Sequence, residues 1–177
     1  MTAPTSDHVP TPKFGAVAIE DRLAIHDLFA RYAWALDTGD VKGYGACFTE
    51  DTVVTEDVFE ELDIWRGRAM AEALAERFRN VPNFPGRQHH VGQILIAPDG
   101  PDRWKVKSFT FATDCKGEPP YFLIFAGCYF DVVVKQGEDY MFKERYMTLW
   151  DGEQLKNFPG HGERVAHKRP PELVVKR

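Results

Sequence analysis

Near its N-terminus the chain reads Arg31-Tyr32-Ala33-Trp34-Ala35-Leu36-Asp37-Thr38-Gly39-Asp40, a helix end followed at once by a new helix start. Upstream, Ile25, Leu28, Phe29, Tyr32 and Leu36 recur at the spacing of an amphipathic helix that begins near Ala18. Glu20 and Asp21 fall in its first turn, where the helix dipole favours acids. Gly39 supplies the stop, because glycine enters the left-handed C-terminal conformation without steric cost. Asp37 therefore stands at the last turn of a helix whose other face is core. Tyr32 precedes it by five residues, about 140° around the axis, and that angle leaves open whether the two share a face.

Downstream, Asp40 can cap a short helix through Phe48, with Val41, Tyr44, Cys47 and Phe48 as its apolar side. Residues Thr52–Thr55 and Val58–Trp65 read as short strands, and Gly67 breaks the chain. A third helix is expected over Ala69–Arg79, with Met70, Ala73, Leu74, Arg77 and Phe78 on one face and Pro82 and Pro85 beyond its end. Four strands follow: Gln88–Ala97, Trp104–Thr113, Tyr121–Lys135 with a break near Gly127, and Tyr140–Trp150. In the second of these, Val106, Phe109 and Phe111 read as the apolar alternation. Helices gather early and antiparallel strands late, which predicts an α+β fold. A strongly bent, mixed or antiparallel sheet wrapped around about three N-terminal helices leaves a cone with an apolar pocket. The expected limits are a flexible arm over 1–17, a domain over 18–150 and a C-terminal extension over 151–177.

A length of 177 residues suits one core. Aromatic residues make up 13%, and rings can wall a pocket for flat ligands. The net charge of −5 argues against nucleic acid, which needs a basic face; Lys168–Arg169 is the one basic pair that stands out. Cys47, Cys115 and Cys128 are far apart, form no CxxC motif and read as reduced thiols. No apolar run reaches the length of a membrane helix, and residues 1–15 carry no signal-peptide core, so a cytoplasmic protein without membrane partners is expected. Adjacent His89 and His90 diverge on a strand, and His161 and His167 lie among Gly and Pro, so no metal site is expected. Dinucleotide, phosphate-loop and serine-hydrolase motifs are lacking, so no cofactor is expected.

Three stretches carry a family likeness: Asp21-Arg22-Leu23 through Asp37-Thr38-Gly39-Asp40 to Phe48-Thr49-Glu50-Asp51; Trp65-Arg66-Gly67-Arg68; and Gln88-His89-His90-Val91-Gly92. With the element order they resemble the SnoaL-like branch of the nuclear-transport-factor-two superfamily over roughly residues 18–150. That branch includes scytalone dehydratase, hexachlorocyclohexane dehydrochlorinase, polyketide cyclases, isomerases, lyases that release formaldehyde from lignin-derived compounds, and non-catalytic members. In the dehydratase and the dehydrochlorinase, an Asp ending the first helix pairs with a His on the first long strand. The matching positions here are Asp37 and His89, with His90 the alternative when the strand is aligned on Gly92. The resemblance implies homodimers or homotrimers, formed through an open sheet face.

A histidine in an apolar pocket stays a neutral base, and a carboxylate on its other ring nitrogen fixes the tautomer and stabilises the imidazolium. Such a pair suits dehydration, dehydrohalogenation, loss of formaldehyde or double-bond migration in a hydrophobic, aromatic small molecule. The resemblance points to Tyr32 and Tyr44 as auxiliaries, since a phenol can donate to a developing oxyanion; Tyr129 and Tyr146 are further candidates on the late strands. Arg87 and Arg145 could hold an anionic group, though an ion pair with a carboxylate is the default for Arg145. Trp34, Trp65, Phe109, Phe111, Phe125 and Phe130 are read as core, some of them as pocket walls.

Overall fold

The computed structural model describes residues 15–82, 84–155, 157–160 and 168. Helix α1 (Ile19–Thr38) is followed by α2 (Val41–Ala46), strands β1 (Phe48–Asp57) and β2 (Asp63–Arg66), helix α3 (Arg68–Arg79), strands β3 (Arg87–Pro98), β4 (Arg103–Asp114), β5 (Phe122–Gln136) and β6 (Asp139–Leu149), and the short α4 (Gly152–Leu155). The strands form one sheet in the order β2-β1-β6-β5-β4-β3. Every pairing is antiparallel except β1 with β6, which is parallel and sets Val54 beside Arg145. This is the expected α+β architecture, with a mixed sheet.

The helix ends follow from local chemistry. Gly39 takes the left-handed conformation (φ 72°), its N–H reaches the Leu36 carbonyl at 3.3 Å, and Asp40 N–H reaches the Ala35 carbonyl at 2.8 Å. The Asp40 carboxylate then accepts from Gly43 N–H at 2.9 Å and caps α2. Ile25, Leu28, Phe29, Tyr32 and Leu36 of α1 are buried against the concave face of the sheet, in a core with Phe48, Val54, Val106, Val133 and Phe142. Val17, placed in the expected arm, is buried there too. Residues 1–14, His161, His167 and Arg169 lie outside the described residues.

Several expectations need correcting. The first strand is longer than Thr52–Thr55, because parallel pairing with β6 recruits the polar run from Phe48 onward. The second strand is only Asp63–Arg66 rather than Val58–Trp65. Strand β5 continues through Gly127, which marks a close approach: a Cβ there would sit 2.2 Å from the Thr148 carbonyl oxygen. The bulge lies on β3 between Gly92 and Leu95, where Gln93 adopts φ 46°. On β4, Trp104, Val106, Ser108, Thr110 and Ala112 are buried, so Phe109 and Phe111 fall on the opposite, convex face and are not core. Trp34 is likewise not core. It lies 77% exposed, because two residues after Tyr32 is about 200° around the helix.

Candidate functional site

Helix α1 ends over β3, and this brings Asp37 to His89. The His89 backbone N–H donates to Asp37 Oδ2 at 2.6 Å, and His89 Nδ1 meets Asp37 Oδ1 at 2.5 Å. An ionised carboxylate only accepts, so Nδ1 carries the hydrogen in this contact. Nε2 is left with no hydrogen-bond partner among the described residues. Both side chains are largely buried, and the Phe84 ring lies 6.0 Å from the imidazole. Strand alternation turns His90 the other way, where it stacks on Phe111 at 4.6 Å and its Nε2 meets Thr113 Oγ1 at 3.1 Å.

His89 opens on a cavity of about 570 Å³ between the helices and the concave sheet face. Its walls are mainly apolar, from residues such as Leu74, Phe78, Phe84, Phe125 and Met147. Three tyrosines, Tyr32, Tyr44 and Tyr129, also line it. The Tyr32 ring lies 5.1 Å from that of Tyr44 and 6.1 Å from that of Tyr129, and Thr110 Oγ1 donates to the Tyr129 oxygen at 3.3 Å. Burial pushes all three phenols above their ordinary range, so they serve as proton-bearing donors at neutral pH. Arg87 also lines the cavity, its guanidinium 5.1 Å from the Phe84 ring.

Of the residues singled out in the sequence, the structure gathers Tyr32, Tyr44, Arg87, His89, Phe125 and Tyr129 around one hollow, with Asp37 behind His89. It does not bring Trp34, Trp65, His90, Phe109 or Tyr146 to the wall. Trp65 sits on β2, where its indole N–H donates to Glu56 at 3.0 Å. Tyr146 points to the convex face, packs with Ala97, Cys128 and Phe130, and donates to Asp57. Arg145 has the structural ion pair expected by default, with Asp131.

The sequence reading missed Glu56, a wall residue only 2% exposed. The signal was available: it lies in phase with Thr52 and Val54, which point inward on β1. Asp151 and Lys168, from the C-terminal extension, also border the cavity. Among the described residues no three His, Cys, Asp or Glu side chains gather as metal ligands do, and no helix is long and apolar enough to cross a membrane.

Known proteins share this fold. A candidate scytalone dehydratase from Novosphingobium aromaticivorans is 26% identical, with a TM-score of 0.61, and the match covers 72% of this chain and 82% of that one.

 Rv3472, a protein of unknown function from Mycobacterium tuberculosis, superposes with a TM-score of 0.62. Rv3472 is 27% identical, over 72% of this chain and 74% of that one. An NTF2-like protein with a cystatin-like fold, also from Novosphingobium aromaticivorans, superposes with a TM-score of 0.64 over 76% of this chain and 84% of that one; at 21% identity it speaks for the fold alone. No curated protein matches the chain significantly. The model of the SnoaL-like domain matches residues 17–146, which hold α1 through most of β6 and the cavity residues from Tyr32 to Tyr129, and the chain therefore belongs to the SnoaL-like domain family of the NTF2-like fold.

Proposed function

We propose that this protein is a cofactor-independent lyase that expels a small leaving group (water, halide or formaldehyde) from a hydrophobic, aromatic small molecule. The observation that carries the reading is the 2.5 Å contact between Asp37 and His89 Nδ1 beside an open, largely apolar cavity. Nε2 of His89 takes a proton from the substrate, and Asp37 stabilises the imidazolium that forms. The bonding pair released becomes a new double bond as the leaving group departs. Tyr32 and Tyr44 donate to the oxygen on which charge develops. A scaffold that used the cone only for assembly would gain nothing from leaving this hollow unfilled.

The test is turnover of a panel of hydroxylated and halogenated aromatic compounds by the wild type, His89→Ala and Asp37→Asn. Each substitution is expected to lower kcat about 100-fold or more. Unchanged turnover in both variants, with the fold intact, removes the pair from the mechanism.

The same reading includes self-association. Phe109, Phe111 and Trp150 are exposed, and Phe109 packs against Trp150 at 4.4 Å between centroids. The convex face thus presents rings to solvent, as a surface between copies of the chain does.

A further inference from the structure

Beneath the three phenols lies a charge that the His89–Asp37 pair does not use. Arg145 on β6 is fully buried, and Asp131 faces it across the β5–β6 ladder. Nε donates to Asp131 Oδ1 at 2.8 Å and Nη2 to Oδ2 at 3.0 Å. Rings close around the guanidinium: its Cζ lies 3.8 Å from the ring centre of Phe142, 3.9 Å from Tyr32 and 4.3 Å from Tyr129. Nη1 has no hydrogen-bond partner among the described residues. Tyr32 and Tyr129 reach the cavity wall, whereas Arg145 is not part of it.

Stability alone does not call for such a pair. Well-packed apolar side chains commonly hold an interior as firmly, because desolvation of both ions offsets their attraction. What apolar side chains cannot supply is a fixed positive field under the rings. Arg145 draws the proton affinity of Tyr32, Tyr44 and Tyr129 down, while burial pushes it up by more, so the phenols become stronger donors without ionising. The guanidinium accepts no hydrogen bond, and it occupies both oxygens of Asp131. Asp131 lies two residues from Tyr129 on the same face of β5; left unoccupied, it would compete for the phenol hydrogen. Thr110 already donates to the Tyr129 oxygen, and the three phenols are hydrogen-bonded in a row, Tyr129 with Tyr32 and Tyr32 with Tyr44, so the field of Arg145 acts on them together.

We propose that Arg145, held by Asp131, is a positioning residue that presents Tyr32, Tyr44 and Tyr129 as donors to an anionic oxygen of the ligand, so that the cavity selects molecules carrying or developing charge on oxygen, a phenolate or an enolate. This rests on the elimination reading and narrows it. A proton passes from carbon to His89 Nε2, the C–H pair forms a carbon–carbon double bond, and the adjacent carbonyl π pair moves to oxygen, where the phenols receive it. That pair then re-forms the carbonyl while the carbon–carbon pair shifts to the next bond and expels the leaving group, which departs with its bonding electrons.

The probe is 4-nitrophenol, whose two ionisation states absorb at different wavelengths. Titrated against the full chain, the phenolate is expected to bind about tenfold more tightly than the phenol, lowering the apparent pKa of the bound probe by about one unit. Arg145→Met combined with Asp131→Leu is expected to abolish that preference while leaving the affinity for the neutral form within about twofold. Arg145→Met with Asp131→Asn is a second neutral replacement and should give the same result. His89→Ala should keep the preference. Equal binding of the two forms by the wild type, no binding, an undiminished preference in either double variant, or failure of both to fold overturns the proposal. The titration needs no turnover, so its failure leaves the His89–Asp37 pair standing. Unchanged turnover in His89→Ala would remove that pair without touching the titration.

Discussion

Asp37 holds His89 twice, through its ring and through its backbone N–H. An asparagine there keeps the shape but replaces one acceptor by a donor, so Asp37→Asn should cost about 1–3 kcal/mol of stability as well as turnover. The buried phenols give a second test. In an unfolded chain tyrosine ionises near pH 10, whereas folded Tyr32, Tyr44 and Tyr129 hold their protons well above it. The unfolded state therefore sheds protons that the folded state retains. Their contribution is fully present below pH 10 and is lost as pH rises beyond it. Above about pH 10, tyrosinate absorbance and loss of ellipticity are expected to move together; smooth ionisation with the fold intact would refute the burial argument. Little of this was legible from the residues alone. Asp37 and His89 are 52 positions apart, and only the family likeness joined them. The outward aim of Trp34 was legible, by contrast, since the helical angle from Tyr32 already fixes it.

Among the elements, α1 and α3 stand within two residues of their expected ends, because caps, proline and 3.6-residue periodicity are local signals. Strand β1 was half hidden: Thr49-Glu50-Asp51-Thr52 has no apolar alternation, and what makes it a strand is a partner near the other end of the domain. Val58 and Phe59 looked like strand residues, but both line the cavity. Gly127 was read as a break, yet the ladder runs through it because two backbones approach there. Gly127→Ala would drive a methyl onto the Thr148 carbonyl oxygen and, at 2.7 Å, onto the Phe125 ring. A loss of about 1–3 kcal/mol is expected in denaturant unfolding, and an unchanged midpoint would contradict that contact.

At the scale of the molecule, the convex sheet face is what the sequence reading misjudged most. Periodicity shows which residues of β4 alternate, but not which set faces the core, and hydrophobicity favoured Phe109 and Phe111 over Ser108 and Thr110. The helices bury the polar set and leave the rings outside. Light scattering at micromolar concentration is expected to give a multiple of the chain mass, and Phe109→Asp with Phe111→Asp to give the monomer; a wild-type monomer would end the case for self-association.

The parallel seam between β1 and β6 bears on synthesis. Val54 meets Arg145, its neighbour on β6, only after five further elements have been made. A growing chain folds from its N-terminus, so Phe48 and Val54 leave the ribosome long before the strand that covers them. A stop codon placed ahead of β6 would yield a product with imidazole and carboxylate but no chamber, and with an uncovered strand edge of the kind that chaperones shield.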